Sequence, residues 1–161
     1  MIDNNVFADG GCPCGSVTYT LLVAPMFVHC CHCTWCQRET GSAFAINALI
    51  ESRQIDLHDG QLESVDMPTS TGHVQQIVRC SSCKTAVWSH YAAARDRVAF
   101  VKVGTLKDPN LCPPDIHIFT STRQQWVDLN EGVPAVEEFY RRSEYWPADS
   151  VARYRSAVPK D

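Results

Sequence analysis

The stretch HCCHCTWCQRETGSAF, residues 29–44, places four cysteines within seven positions. The chain has nine cysteines in 161 residues, and seven of them fall into three close groups. An isolated free cysteine usually acts as a small buried apolar side chain, whereas cysteines one or two residues apart are typical of metal sites. The pattern therefore predicts a fold organised around bound metal. The groups are Cys12-x-Cys14, Cys31-x-Cys33-x2-Cys36 and Cys80-x2-Cys83.

Composition and charge narrow the class of protein. The length suits one domain, which we expect to span residues 1–161. A net charge of -4 and scattered basic residues argue against nucleic acid and anionic membranes as partners. No apolar run is long enough for a membrane span, and the first residues do not resemble a signal peptide. We therefore expect a cytoplasmic protein, in which clustered cysteines bind metal rather than form disulfides.

Short alternating apolar segments separated by turn residues predict a mainly β fold. Asp59-Gly60 lies between two such segments in 54–65 and predicts a hairpin. A short turn or helix is expected just after Cys36, and residues 133–143 suit a C-terminal helix with Pro134 in its first turn. The other predicted strands lie in 16–23, 73–80, 85–92, 97–106 and 115–122.

The grouped cysteines divide into a set of four and a set of three. Structural zinc takes four protein ligands, while catalytic zinc takes three and leaves one position open. Closing a loop of more than sixty residues with the set of four would stabilise a small β domain. The set of three predicts a zinc ion with an open position. The sets are Cys12, Cys14, Cys80 and Cys83, and Cys31, Cys33 and Cys36.

Two other arrangements of the remaining cysteines stay open. Cys30 or Cys112 would close the second site if either supplied a fourth ligand, although neighbouring strand residues such as Cys30 and Cys31 point in opposite directions. The spacing Cys30-x2-Cys33-x2-Cys36 is also that of an iron–sulfur run, with Cys112 as a remote fourth ligand. That arrangement leaves Cys31 unused.

Several other side chains are weaker candidates for the site. His32 lies between two predicted ligands, and it is expected either to handle protons near the metal or to point away from it. Arg38 and Lys84 would attract carboxylates, and residues 40–42 offer hydroxyl and N–H donors. His117 is expected to be a satisfied or exposed strand residue, and Trp126 to belong to the core.

The motifs resemble the glutathione-dependent formaldehyde-activating enzyme family, which also includes centromere protein V. The resemblance runs from about Gly10 to Tyr140 and implies a zinc-binding β-tent fold. It also implies the division of ligands given above, with two zinc ions per chain. Lys84 departs from the family's usual glycine. The matching segments are GGCPCGSVTYTL, CHCTWCQRETGSAF, CSSC, VKVGTL and, after Trp126, VPAVEEFY.

What the resemblance implies about function is a carbon–sulfur lyase that joins glutathione to formaldehyde as a hemithioacetal. We expect the thiol sulfur or the aldehyde oxygen to take the open position beside Cys31, Cys33 and Cys36. Three thiolates weaken zinc as a Lewis acid, so holding a reactive thiolate is its expected role. The alternatives are a non-catalytic zinc module that binds a partner protein, and a redox protein with an iron–sulfur cluster or a reactive cysteine.

Overall fold

The computed structural model describes residues 6–69 and 71–159, and most of their regular structure is β-strand. Short 3-10 turns follow several of the strands. The strands are β1 (Ala8–Gly11), β2 (Thr18–Leu21), β3 (Phe27–Cys31), β4 (Ala45–Glu51), β5 (Ile55–Asp59), β6 (Leu62–Pro68), β7 (Val74–Cys80), β8 (Ala86–Tyr91), β9 (Val98–Lys102) and β10 (Ile116–Ile118). The helices are α1 (Thr34–Thr40), α2 (Arg142–Tyr145) and α3 (Ala148–Ala157).

The strands form two sheets, which confirms the prediction of a mainly β fold. The small sheet has the order β1-β2-β5, and the large sheet has the order β10-β3-β4-β9-β8-β7-β6. Neighbouring strands are antiparallel except β3 and β10, which are parallel. Strand β3 is therefore paired on both sides, and its five residues are all buried.

The two faces of the large sheet carry separate clusters of buried side chains. The first cluster combines residues of both sheets, and in it the ring of Tyr19 meets Trp88 edge-on at 5.6 Å. The second cluster lies on the other face, where Phe27 stacks on Trp146 at 5.2 Å. Neighbouring residues of one strand alternate between the clusters, as side chains of a β-strand must.

The predicted hairpin at Asp59-Gly60 is wrong. Strand β5 pairs with β2 in the small sheet, whereas β6 pairs with β7 in the large sheet. The chain passes from one sheet to the other at Gly60, which has φ +103° and would bring a Cβ within 2.3 Å of the Ser16 carbonyl oxygen. Glycine is needed here for a close backbone approach rather than for a two-residue turn.

A C-terminal helix is present, but the predicted segment 133–143 does not form it. Residues 134–138 instead run along the outer edge of β10, where His117 N–H donates to Pro134 O at 2.8 Å and Phe119 N–H donates to Glu138 O at 2.9 Å. Covering the free edge of a strand outweighs the local preference for helix. In the described part of the chain, no helix has the length and apolar character needed to cross a membrane.

Helix α3 is attached to the large sheet by an ion pair. Arg153 donates to both carboxylate oxygens of Glu51, at 2.9 and 2.6 Å, and to Ala24 O at 2.9 Å. The Glu51 side chain is only 5% exposed. Burial alone would raise the pKa of Glu51, but the hydrogen bonds from Arg153 outweigh it and lower that pKa. The pair is therefore a bidentate contact in a partly dry environment.

We predict that Arg153→Met lowers the free energy of unfolding at pH 7 by about 3 kcal/mol, because it leaves the Glu51 carboxylate buried without a partner. The folded-state pKa of Glu51 is lowered, so the ion pair stabilises above the unfolded-state pKa of about 4.3 and is lost as the pH falls below it. Urea unfolding at pH 7 and pH 3 measures both effects.

Lys107→Met is the matched control, because the Lys107–Asp9 pair is exposed on both sides, at 72% and 46%. Its expected cost is below about 0.5 kcal/mol. Equal losses in the two variants, or a loss at Arg153 that persists unchanged at pH 3, would contradict the assignment of the ion pair.

Candidate functional site

Four sulfurs from distant parts of the chain meet at one end of the small sheet. Their Sγ atoms all lie within 4.8 Å of one another. Cys14 Sγ is 3.3 Å from Cys12 Sγ and 3.8 Å from Cys80 Sγ. A tetrahedral zinc ion with bonds of about 2.3 Å places its sulfurs about 3.8 Å apart. The arrangement therefore fits a shared metal ion. This four-sulfur group consists of Cys12, Cys14, Cys80 and Cys83.

Two tight turns hold the four-sulfur group. Gly15 has φ +79° and donates its N–H to Cys12 O at 3.0 Å, while the N–H of Val17 points at Cys12 Sγ at 3.3 Å. In the second turn, Lys84 has φ +64° and donates its N–H to Cys80 O at 2.9 Å. Lys84 thus adopts the left-handed conformation that glycine usually supplies. Its ammonium group pairs with Glu63 at 2.8 Å.

Three further sulfurs meet where β3 ends and α1 begins. The Sγ atoms of Cys31, Cys33 and Cys36 lie within 4.8 Å of one another, and this three-sulfur group includes no fourth His, Cys, Asp or Glu donor from the described residues. Cys33 is the N-cap of α1, and its Sγ accepts the N–H of Cys36 at 3.3 Å. Cys31 and Cys36 are buried, whereas Cys33 is half-buried. Cys33 is thus the most exposed residue of the three.

The three thiols perturb one another strongly. Contacts with Cys31 and Cys36 lower the pKa of Cys33 far below that of a free thiol. The contact with Cys33 raises the pKa of Cys31. For Cys36, the contact with Cys31 and the charge of Lys102 favour the thiolate, but the contact with Cys33 and burial outweigh them and raise its pKa to about 12. Three thiolates this close ionise together only beside a cation.

A buried group of charged side chains lies beside the three-sulfur group. Glu39 of α1 is 6% exposed, and it pairs with Arg79 at 3.0 Å and with Lys102 at 3.6 Å. Lys102 also donates to Asn47 Oδ1 at 3.2 Å, across the β4–β9 pair. Sequence analysis did not identify these residues. The available signal was a lysine within the apolar strand VAFVK, where a buried cation needs a partner.

Cys30 and His32 point away from the three-sulfur group. They lie on the opposite face of β3 from Cys31 and meet His117 of β10, and the three donor atoms are within 4.8 Å of one another. His117 is buried rather than exposed. Burial lowers the pKa of His32 to about 4 and also lowers that of His117, which favours the neutral form of both rings. Because its ring lies with Cys30 and His117 on the other face from Cys31, His32 lies outside the three-sulfur group.

The four cysteines that the iron–sulfur alternative requires do not form one group among the described residues. Cys30 is not grouped with Cys33 and Cys36 in the described residues, because β3 directs it to the other face. Cys112 is buried in the first core cluster and joins neither sulfur group. Neither cysteine is therefore placed to close the three-sulfur group.

A surface cleft of about 580 Å³ runs beside α1. It includes three residues named from the sequence, Arg38, Gly41 and Ser42. Trp126 is 73% exposed, so its prediction as a core residue is wrong. Its Nε1–H donates to Gln124 Oε1 at 2.7 Å, which keeps the indole at the cleft instead of in the core. The lining residues are Gln37, Arg38, Gly41, Ser42, Ala43, Phe44, Gln124 and Trp126.

The cleft and Cys33 both adjoin α1. Gln37 and Arg38 of α1 line the cleft, and Cys33 is the N-cap of the same helix. Gln37 is fixed there because its Nε2–H2 donates to His32 O at 2.8 Å and to Thr122 O at 2.9 Å. The cleft therefore lies against α1, and its lining residues do not include Cys31, Cys33 or Cys36.

Comparison with known proteins identifies the family. The family model described as glutathione-dependent formaldehyde-activating enzyme matches residues 7–122, more than half of the chain. No curated protein matches. A crystal structure of a Rhodobacter sphaeroides protein is similar at 22% sequence identity and a TM-score of 0.46, covering 62% of this chain and 87% of that one. The matched segment contains both sulfur groups and α1, and the chain belongs to the glutathione-dependent formaldehyde-activating enzyme family.

Proposed function

We propose that this protein is a zinc-dependent carbon–sulfur lyase that, in the synthetic direction, joins glutathione or a similar thiol to formaldehyde or another small aldehyde. The observation that carries the proposal is the three-sulfur group, which has no fourth donor among the described residues. A cleft against α1, the helix that Cys33 caps, supports the same reading. Family membership supports the thiol and aldehyde as substrates.

The two sulfur groups have different proposed roles. Cys12, Cys14, Cys80 and Cys83 would hold a structural zinc ion, because four thiolates complete its preferred tetrahedral shell. Cys31, Cys33 and Cys36 would hold a catalytic zinc ion and leave one position free. Thiolate donors suit zinc among the common divalent ions. When bound, zinc supplies the positive charge that keeps a thiol deprotonated at neutral pH.

The cleft would bind the body of glutathione. Arg38 offers a guanidinium for one of its carboxylates, and Gly41 and Ser42 offer N–H and hydroxyl donors. The exposed indole of Trp126 offers a flat apolar surface against which a tripeptide chain can lie. Binding along α1 would allow the ligand's thiol to approach Cys33, the N-cap of that helix.

The reaction requires the protein mainly to position the two reactants. The thiol sulfur attacks the carbonyl carbon and forms the C–S bond, while the π electron pair moves to oxygen. That oxygen takes up the proton lost by the thiol, so no redox partner is involved. Holding the two reactants together contributes most of the acceleration. The buried ion pair between Lys102 and Glu39 would hold α1 against the large sheet, and with it Cys36 and the N-cap residue Cys33.

The non-catalytic zinc module is the second reading from the sequence. It requires a closed three-sulfur group, with a fourth protein ligand. Cys30 and Cys112 were the available candidates, and neither belongs to the group in the described residues. The geometry therefore favours the enzyme over the module.

We predict that Cys33→Ser removes one equivalent of zinc and lowers the enzyme-dependent rate of adduct formation at least about 100-fold, because it removes one of the three candidate ligands. NMR exchange between formaldehyde and its glutathione adduct measures the rate, and elemental analysis measures the zinc. Cys112→Ala is the control, since Cys112 lies outside both groups. Full activity in Cys33→Ser would contradict the proposal.

We predict that Arg38→Met and Trp126→Ala each raise KM for glutathione about tenfold with kcat little changed, because they remove binding that is equal in the ground and transition states. The same NMR exchange, followed at increasing glutathione concentration, gives both constants. Lys107→Met, an exposed charge outside the cleft, should leave KM unaltered. Unchanged KM in both cleft variants would exclude the cleft as the glutathione site.

A further inference from the structure

We propose that Cys30, His32 and His117 form a third metal-binding site, which takes one divalent transition-metal ion of the zinc class. The site is separate from the two sulfur groups and does not depend on the proposed reaction. It was not expected from the sequence, because His32 and His117 are 85 residues apart and neither belongs to a spaced ligand motif.

The pairing of β3 with β10 creates the site. Cys30 and His117 are direct partners in the parallel ladder, so their side chains leave the sheet on the same face. His32 lies two residues after Cys30, and its N–H donates to Ile118 O at 3.0 Å, which continues the ladder past the end of β3. Three donors from two strands therefore converge by backbone geometry alone, on the face opposite to Cys31.

The donor distances fit a coordinated ion. Cys30 Sγ is 3.6 Å from His32 Nε2, and His32 Nε2 is 3.0 Å from His117 Nδ1. A tetrahedral zinc ion places a sulfur and a nitrogen ligand about 3.6 Å apart and two nitrogen ligands about 3.3 Å apart. A cysteine with two histidines is a ligand set that suits zinc and its neighbours. Three protein ligands leave one position for water or a small anion.

Burial makes chance proximity a poor explanation for this cluster. Cys30 is 2% exposed, His32 is 0% and His117 is 6%. Within the described residues, the outer nitrogens His32 Nδ1 and His117 Nε2 have no hydrogen-bond partner. In this part of the chain, these outer nitrogens lack a partner with or without an ion, and a metal-bound histidine usually donates its second N–H, so they do not themselves favour metal. A hydrogen bond between the rings uses two of the three inward donor atoms, whereas one metal ion uses all three.

An ion at this site would attach β10 to the segment that carries the catalytic cysteines. Strand β10 has only three residues and pairs with β3 alone within the large sheet. His32 lies between Cys31 and Cys33, so fixing its side chain also fixes the backbone between two of the proposed zinc ligands. The site would thus act as a staple at the edge of the sheet.

Cobalt titration of the metal-free full chain under reducing conditions tests the proposal. The wild type should bind three Co²⁺ per chain, whereas Cys30→Ser and His117→Gln should each bind two. Cys112→Ala is the matched control and should bind three, because it removes a buried cysteine outside all three groups. Circular dichroism of each holoprotein shows whether the variants keep the fold.

Co²⁺ counts in both Cys30→Ser and His117→Gln that equal the wild-type count would overturn the proposal, whatever the wild-type count is. If one of the two variants fails to fold, the other decides the matter. This comparison is independent of the proposed function, because it does not require the three-sulfur group to bind an ion. If Cys33→Ser loses one Co²⁺ and Cys30→Ser loses another, the double variant should bind one. If Cys30→Ser loses one Co²⁺ and keeps its activity, the third site is supported and the proposed catalytic zinc is unaffected.

Discussion

The alternation of side chains along β3 is the constraint on which both the fold and the site depend. Strand β3 is paired with β4 on one side through five residue pairs and with β10 on the other through three. This double pairing prevents the strand from rotating, so Cys30 and Cys31 must point to opposite faces. A slip of one residue would exchange the two faces and break up every ligand set that includes β3.

The sulfur groups lie where regular structure ends, at the borders of the two core clusters. Cys12 and Cys80 belong to the first cluster, and Cys31 and Cys36 belong to the second. Turns and a helix N-cap supply the remaining sulfurs, because these segments are free to bring a side chain back towards a strand end. Metal binding at such points would lock loops onto the sheets, which a small β domain achieves less well through apolar burial alone.

The two groups also differ in their number of donors, and this difference supports their different proposed roles. In the three-sulfur group, Cys33 is the most exposed residue, and the cleft lies against the helix that it caps. The buried Glu39 connects α1 to Arg79 of β7 and to Lys102 of β9. The helix that carries Cys36, with Cys33 as its N-cap, is therefore anchored to the sheet while its outer face stays open.

Cysteine spacing and apolar alternation were enough to predict the mainly β fold and the division of seven cysteines into two groups. The errors came from tertiary contacts that local sequence does not encode. Asp59-Gly60 has the chemistry of a hairpin, but Gly60 packs against the Ser16 carbonyl and carries the chain between sheets. Residues 134–138 have a local preference for helix, but they form backbone hydrogen bonds along the edge of β10 instead. The His32–His117 contact depends on a parallel pairing between segments 85 residues apart.

Anomalous diffraction at the zinc edge, from crystals of protein purified under reducing conditions, tests the central claim most directly. The account predicts separate zinc peaks within the four-sulfur group and the three-sulfur group, with Cys30 bonded to neither ion. A single ion bridging Cys30 and Cys31, or a peak at the iron edge instead, would contradict the alternation of β3 as the origin of the sites.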